Sequence, residues 1–215
     1  MRQAQTKIIC DFDGTVTPVD TTDALLGRFA VPEWEDVEKE WLAGEITSRE
    51  CMGRQIAMIR AERRELDAFI DKFELAPGFR DFAEFCEQGN VDLCIVSDGM
   101  DYTIRRVLIN HGLPNVPVFA NHLTFGKGGY ELTFPFARDG CAFGMCKCMV
   151  ADADNAKAIL IGDSHSDTCI AERAAAVYAA RGKPLEMHCR KNGIEHTLFD
   201  DFFDILTHMK RSFCQ

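Results

Sequence analysis

The chain has 215 residues, of which 47% are hydrophobic and 27% charged, proportions that fit one globular core with room for a small insert and exclude a fibrous or disordered architecture. Its 34 Asp and Glu against 24 Lys and Arg give a formal net charge of -10, which leaves no broad cationic surface for nucleic acid. An acidic protein that handles an anionic ligand must concentrate positive potential locally, through a bound cation, a lysine or main-chain N–H groups at helix starts.

Lys7 to Cys10 is a short apolar run that stops at Asp11-Phe12-Asp13-Gly14-Thr15, the pattern of a buried strand ending in a polar turn. The pattern then turns helical. Asp20 to Phe29 and Glu33 to Leu42 read as two helices; Thr47 and Glu50 form a capping-box pair ahead of Met52, Ile56 and Ile59; Leu66, Phe69, Ile70 and Phe73 follow helical spacing. These make a four-helix insert over residues 17–76, a cap on a core built from residues 1–16 and 77–215, with Pro77-Gly78 as the return turn and a helix over Phe79 to Glu87. Val91 to Val96 is a second apolar run, ending in Ser97-Asp98-Gly99, and Ala158 to Ile161 a third, ending in Gly162-Asp163-Ser164; Val177 to Ala180 adds a further strand. Leu123 to Phe125 and Tyr130 to Phe134, joined through Gly126-Lys127-Gly128-Gly129, read as a β-hairpin projecting beyond the main sheet. The expected class is α/β: a Rossmann-like parallel sheet with helices on both faces, whose strand C-terminal ends converge on one site.

Three strand ends carry the chemistry. Asp11 and Asp13, two residues apart after a buried strand, can project together, one as a nucleophile and the other within reach of a leaving-group oxygen; an Asx-type turn is the competing reading. Ser97 can donate a hydroxyl, with the N–H groups of Asp98 and Gly99 beside it, or cap the next helix. Asp163 and Asp167 add carboxylates that with Asp11 make the hard oxygen set magnesium prefers, or a capped turn. Lys147 can neutralise Asp11 and a phosphoryl group together, and Lys157 is its rival for that position. Cys141, Cys146 and Cys148 are candidate zinc thiolates, although they lack a regular CxxC pair. His165 reads as an exposed loop residue or a substrate contact.

The ordered set Asp11-Phe-Asp-Gly-Thr15, Ser97, Lys147 and Gly162-Asp163-Ser-His-Ser-Asp167 resembles the four motifs of the haloacid dehalogenase-like hydrolase superfamily, over nearly the whole chain. The helical insert between the first two motifs is similar to the cap of its phosphoserine phosphatase-like branch. Ile8 to Thr15, Pro32-Glu-Trp34, Pro77-Gly-Phe-Arg80, Ser97 to Asp101 and Cys146-Lys147 resemble most closely the 2-hydroxy-3-keto-5-methylthiopentenyl-1-phosphate phosphatases of methionine salvage. The resemblance implies a phosphatase acting on a small phosphorylated metabolite. In it Asp11 forms an aspartyl phosphate, Asp13 serves as acid and then base, and Ser97 and Lys147 hold the phosphoryl oxygens. Mg²⁺ would be held by Asp11, the Asp13 carbonyl and Asp163, with Asp167 ligating through water or orienting Lys147. A phosphoserine phosphatase-like enzyme, a phosphomutase and a noncatalytic phosphate-binding module stand as alternatives.

Specificity is expected from the cap, with Asp20 and Arg54 as candidate substrate contacts; a helix cap and a solvated charge are their other readings. Met52, Met58 and the cap aromatics can supply an apolar wall. No run reaches the roughly 18 apolar residues that span a bilayer. The N-terminus lacks an export pattern, so the ten cysteines are expected as reduced thiols in a cytoplasmic protein, Cys10 and Cys94 among them in the core.

Overall fold

The computed structural model describes residues 6–126, 128–152 and 157–213. Seven strands form one sheet in the order β4-β3-β2-β1-β5-β6-β7: β1 (Thr6–Cys10), β2 (Asp92–Met100), β3 (Val118–Gly126), β4 (Gly129–Thr133), β5 (Lys157–Gly162), β6 (Ala176–Ala180) and β7 (Thr197–Phe199). All neighbours run parallel except β3 and β4. Central β1 is apolar because it is covered on both faces. Ile8 and Cys10 join the core under α5 (Phe79–Gln88), α6 (Asp101–Asn110) and α10 (Phe202–Phe213), while Ile9 joins the core under α7 (Lys147–Asp152), α8 (Thr168–Ala171) and α9 (Pro184–Asn192). The chain passes from β1 to β2 on one side and returns to β5 on the other. This strand-order reversal opens a crevice beyond the C-terminal ends of β1, β2 and β5, where open α/β sheets place their ligands.

Four helices lie between β1 and α5: α1 (Thr21–Phe29), α2 (Trp34–Leu42), α3 (Ser48–Ala57) and α4 (Arg63–Ile70). Asp20 caps α1 by accepting from Asp23 N at 2.9 Å, and Thr47 caps α3 by accepting from Glu50 N at 3.2 Å. Leu25, Leu26, Ile56, Leu66 and Ile70 bury the apolar faces of the insert continuously with the sheet core. The segments entering and leaving it run side by side, tied by Ala76 N donating to Val16 O at 2.8 Å.

The expected hairpin forms at the edge of the sheet, and its first strand reaches further back than the sequence indicated: the first half of β3 is a parallel sheet strand, with Val118 beside Ile95 and Phe119 beside Val96. Only its second half pairs with β4, Leu123 opposite Leu132. The register breaks between Val96 and Met100, and this irregularity lets β3 leave β2 and turn toward the insert, where Tyr130 Oη donates to Ala61 O at 2.6 Å. Lys127, in the hairpin turn, lies outside the described residues.

Candidate active site

Asp11 is the first residue past β1, and its N–H donates to Ile161 O at 2.9 Å, continuing the pairing of β1 with β5 for one more step. That bond holds the Asp11 carboxylate at the crevice floor, 4% exposed. Its Oδ1 accepts from Phe12 N at 2.8 Å and pairs with Lys147 Nζ at 2.9 Å, while Oδ2 faces Ser164 Oγ at 3.4 Å. The chain then turns sharply: Thr15 N and Thr17 N both donate to Phe12 O, and Gly14 takes φ +74°. A Cβ on Gly14 would stand 2.4 Å from Asp163 Oδ2, so a glycine is needed both for the turn and for the space next to Asp163.

Asp13 is held from the insert. Its Oδ1 accepts from Thr21 N at 2.7 Å and Thr21 Oγ1 at 2.6 Å, at the first residue of α1, so a helix start fixes this carboxylate next to Gly99. Burial, reinforced by the Asp20 charge, pushes Asp13 up to about 7. Ser97 is buried in the C-terminal half of β2, and its Oγ accepts from Gly99 N at 3.0 Å.

Lys147 begins α7 and is fully buried, pinned between Asp11 and Asp167. Burial disfavours its charge, but the two carboxylates outweigh that and hold the ammonium above its usual range. Lys157 is exposed at the opposite end of the sheet, paired with Thr6 at the start of β1 and β5, so Lys147 is the lysine that reaches Asp11. Asp167 Oδ2 accepts from Asp163 N at 3.1 Å and Ser164 N at 3.0 Å, closing the turn after β5. Asp163 Oδ1 accepts from Thr15 Oγ1 at 3.2 Å, and burial with the Asp167 charge pushes Asp163 up to about 6. Burial, against the pull of Lys147, likewise raises Asp11.

Carboxylate oxygens of Asp11, Asp163 and Asp167 all lie within 4.8 Å of one another. Hard oxygen donors, too many carboxylates for Lys147 alone to balance, and a space that only Gly14 leaves open fit a small divalent cation such as Mg²⁺. Asp167 already spends its oxygens on Lys147 and the two N–H groups, which leaves Asp11 and Asp163 as the more available direct ligands. Among the described residues no comparable set forms from Cys141, Cys146 and Cys148.

A cavity of about 460 Å³ rises from this floor toward the insert. Asp20 and His165 line it; Arg54 does not. The Arg54 guanidinium instead makes a bidentate pair with Glu40, 2.6 and 2.9 Å, joining α3 to α2. Asp98 lines the cavity, but its carboxylate accepts from Asn121 Nδ2 at 3.0 Å and Met145 N at 2.8 Å, which ties β2 to β3 and to the loop before α7. Thr15 and Ser164 belong to the first and fourth motifs, and their hydroxyls contact Asp163 and Asp11, roles the sequence does not indicate; Thr21 lies outside every motif. A polar residue at the first position of a predicted helix was the available signal for Thr21.

The haloacid dehalogenase-like hydrolase model matches residues 8–172, more than half of the chain. The chain belongs to the haloacid dehalogenase-like hydrolases. With curated relatives in that family that are named phosphatases, it is a phosphatase, a phosphoric monoester hydrolase. The 2-hydroxy-3-keto-5-methylthiopentenyl-1-phosphate phosphatase of Exiguobacterium sp. is 34% identical over 95% of this chain and 97% of its own length. That of Brevibacillus brevis is 30% identical over 93% and 92%. In fold, this hydrolase is similar to phosphoserine phosphatase from T. onnurineus, with a TM-score of 0.70 at 18% identity over 96% of this chain and 95% of the other. It also resembles a HAD family hydrolase from Salmonella enterica serovar Typhi, at TM-score 0.73 and 20% identity over 93% of this chain and 69% of that one. Among the described residues no helix is long and apolar enough to cross a membrane.

Proposed function

We propose that this hydrolase cleaves a small phosphomonoester through an aspartyl phosphate on Asp11, with Mg²⁺ as cofactor. The observation that carries the reading is the division of labour at the Asp11 carboxylate. Its Oδ1 is anchored by Lys147 and the Phe12 N–H, while Oδ2 meets, among the described residues, a single 3.4 Å contact from Ser164 and lies at the cavity floor, placed to attack phosphorus. Lys147 orients that carboxylate and offsets charge on the transferring group; the Ser97 hydroxyl, its Oγ held by the Gly99 N–H, is placed to donate to a phosphoryl oxygen. Asp13, with its pKa near 7, can be protonated at neutral pH to supply the leaving-group oxygen with a proton, and once ionised can draw one from the water that attacks the aspartyl phosphate. Asp11, Asp163 and the main-chain carbonyl of Asp13 would hold Mg²⁺, with Asp167 acting through Lys147 or an intervening water. The cation supplies charge neutralisation for the phosphoryl oxygens.

For the substrate we favour the enol phosphate that names the relatives. Trp41, Met52 and Phe143 give the cavity an apolar wall that suits a thioether tail. Asp20, Asp23 and Glu38 line it from the insert, where Arg54 is committed to Glu40, and would repel the carboxylate of phosphoserine, while the Lys183 that also lines the cavity lies near Asp163 on the core. The test compares kcat/KM for the enol phosphate and phosphoserine in the presence of Mg²⁺. A preference for phosphoserine would overturn the substrate assignment, and full turnover in excess chelator would overturn the role of the metal.

A further inference from the structure

Four cysteines crowd the side of the molecule behind Lys147. Cys141 and Cys146 interact with each other in the loop before α7, and both lie within electrostatic range of Cys169. Cys148 and Cys169 meet sulfur to sulfur: Cys148 Sγ lies 3.7 Å from Cys169 Sγ and 3.5 Å from Cys169 O. Cys148 is in the first turn of α7 and Cys169 in α8, so the pair bridges two helices that pack together. The two thiols are not equivalent. Cys148 lines a cavity separate from the catalytic one, together with Ala151, Asp152, Lys157 and Arg173. The Arg173 guanidinium, paired with Asp152 at 2.7 Å, also interacts with Cys148.

We propose that Cys148 and Cys169 form a reversible disulfide modification site through which a peroxide lowers the activity of this hydrolase. The Cys148 thiolate attacks one peroxide oxygen, the O–O bond breaks, and the other oxygen leaves as water or an alcohol once it is protonated. The resulting sulfenic acid is attacked by the Cys169 thiol; the S–S bond forms, the S–O bond breaks, and water leaves with the Cys169 proton. Two thiols are oxidised by two electrons and one peroxide is reduced.

The consequence for the site follows from position. Cys148 directly follows Lys147, and Cys169 is two residues beyond Asp167. The Lys147–Asp167 ion pair and the Cys148–Cys169 contact therefore span the same gap side by side. A disulfide needs sulfurs about 2.05 Å apart, so bond formation draws the two segments or their side chains together by about 1.7 Å. Lys147 is fully buried and fixed to Asp11 at 2.9 Å, and has little slack to absorb that shift. Displacements near 1 Å at a catalytic constellation can cost about a hundredfold, so a loss of roughly tenfold or more is expected.

The test treats the reduced full-length protein with hydrogen peroxide, maps disulfides by mass spectrometry of non-reduced digests, and measures aryl phosphate hydrolysis before and after dithiothreitol. The expected result is a Cys148–Cys169 linked peptide, a loss of about tenfold or more in turnover, and recovery on reduction. Cys169→Ser should keep the reduced-state turnover and lose the dithiothreitol-reversible inhibition. Cys148→Ser serves as the second variant if the first does not fold. The mapping stands whether or not the substrate assignment holds. The proposal is overturned if no such peptide forms, if the oxidised bond is Cys141–Cys146, if the linked wild-type enzyme retains its turnover, or if the purified protein carries a cysteine-bound zinc.

Discussion

Replacing Lys147 with methionine isolates the electrostatics of the site. The side chain is 0% exposed and lies between Asp11 and Asp167, themselves 5% and 0% exposed at the side chain, so the variant keeps most of the volume while leaving two buried carboxylates without their cation. Breaking a buried pair from one side costs about 3–5 kcal/mol. For a chain of this size 1 kcal/mol moves Tm by about 2–4 °C, which puts the expected drop at roughly 6–20 °C at pH 7. The pH dependence follows from the sign of the shifts. Without Lys147, the folded-state pKa of Asp11, already raised by burial, rises further above the unfolded value near 3.9. A raised carboxylate pKa gives stability that is present at low pH and lost as pH rises through the folded value, so the penalty should be larger at pH 7 than at pH 5. Adding Asp167→Asn should recover part of the loss by removing one uncompensated charge. Urea and thermal unfolding of wild type, Lys147→Met and the double variant at both pH values make the check, without added metal. A penalty below about 1 kcal/mol at pH 7, the size of an exposed pair, or an equal penalty at both pH values would refute the reasoning.

Asp11→Asn should lower turnover by on the order of a thousandfold or more while circular dichroism stays native, since the amide keeps the shape and cannot attack phosphorus. Asp13 must be protonated for the first step, so kcat/KM on an alkyl phosphate should fall as pH rises through about 7. Asp13→Asn should remove that limb, and an aryl phosphate with a good leaving group should show less of it. Gly14→Ala places a Cβ 2.4 Å from Asp163 Oδ2 at φ +74°, so it should weaken the Mg²⁺-induced rise in Tm as well as turnover, and a wild-type metal response would count against Asp163 as a ligand. Arg54→Ala should leave kcat/KM unchanged because the guanidinium is spent on Glu40 outside the cavity, whereas Asp20→Ala should alter KM.

Most of the sheet could be read from the chain because β1, β2 and β5 are covered on both faces and so appear as unbroken apolar runs, each stopping at acidic and small residues where the strand meets solvent. The helices of the insert were legible from their periodicity and from the caps at Asp20 and Thr47, which are local interactions. The first half of β3 was not, because Val118-Phe119-Ala120 is too short a run to distinguish from the hairpin that follows it.

At the site, the sequence by itself determined which groups are available: Asp11 and Asp13 two residues apart, Ser97, Lys147, and Asp163 with Asp167, each at a strand end or near one. Tertiary structure alone decided which of them meet. Lys147 and Lys157 are equal as letters, and only the packing of α7 beneath β1 buries one against Asp11 while β5 carries the other to the far end of the sheet. Arg54 looked free because its partner Glu40 is on a different helix, fourteen residues away, at a separation no helical spacing encodes. Thr21 became the anchor of Asp13 for the same reason: the hydrogen bond depends on how α1 enters over the crevice, and that angle is set by the packing of the whole insert.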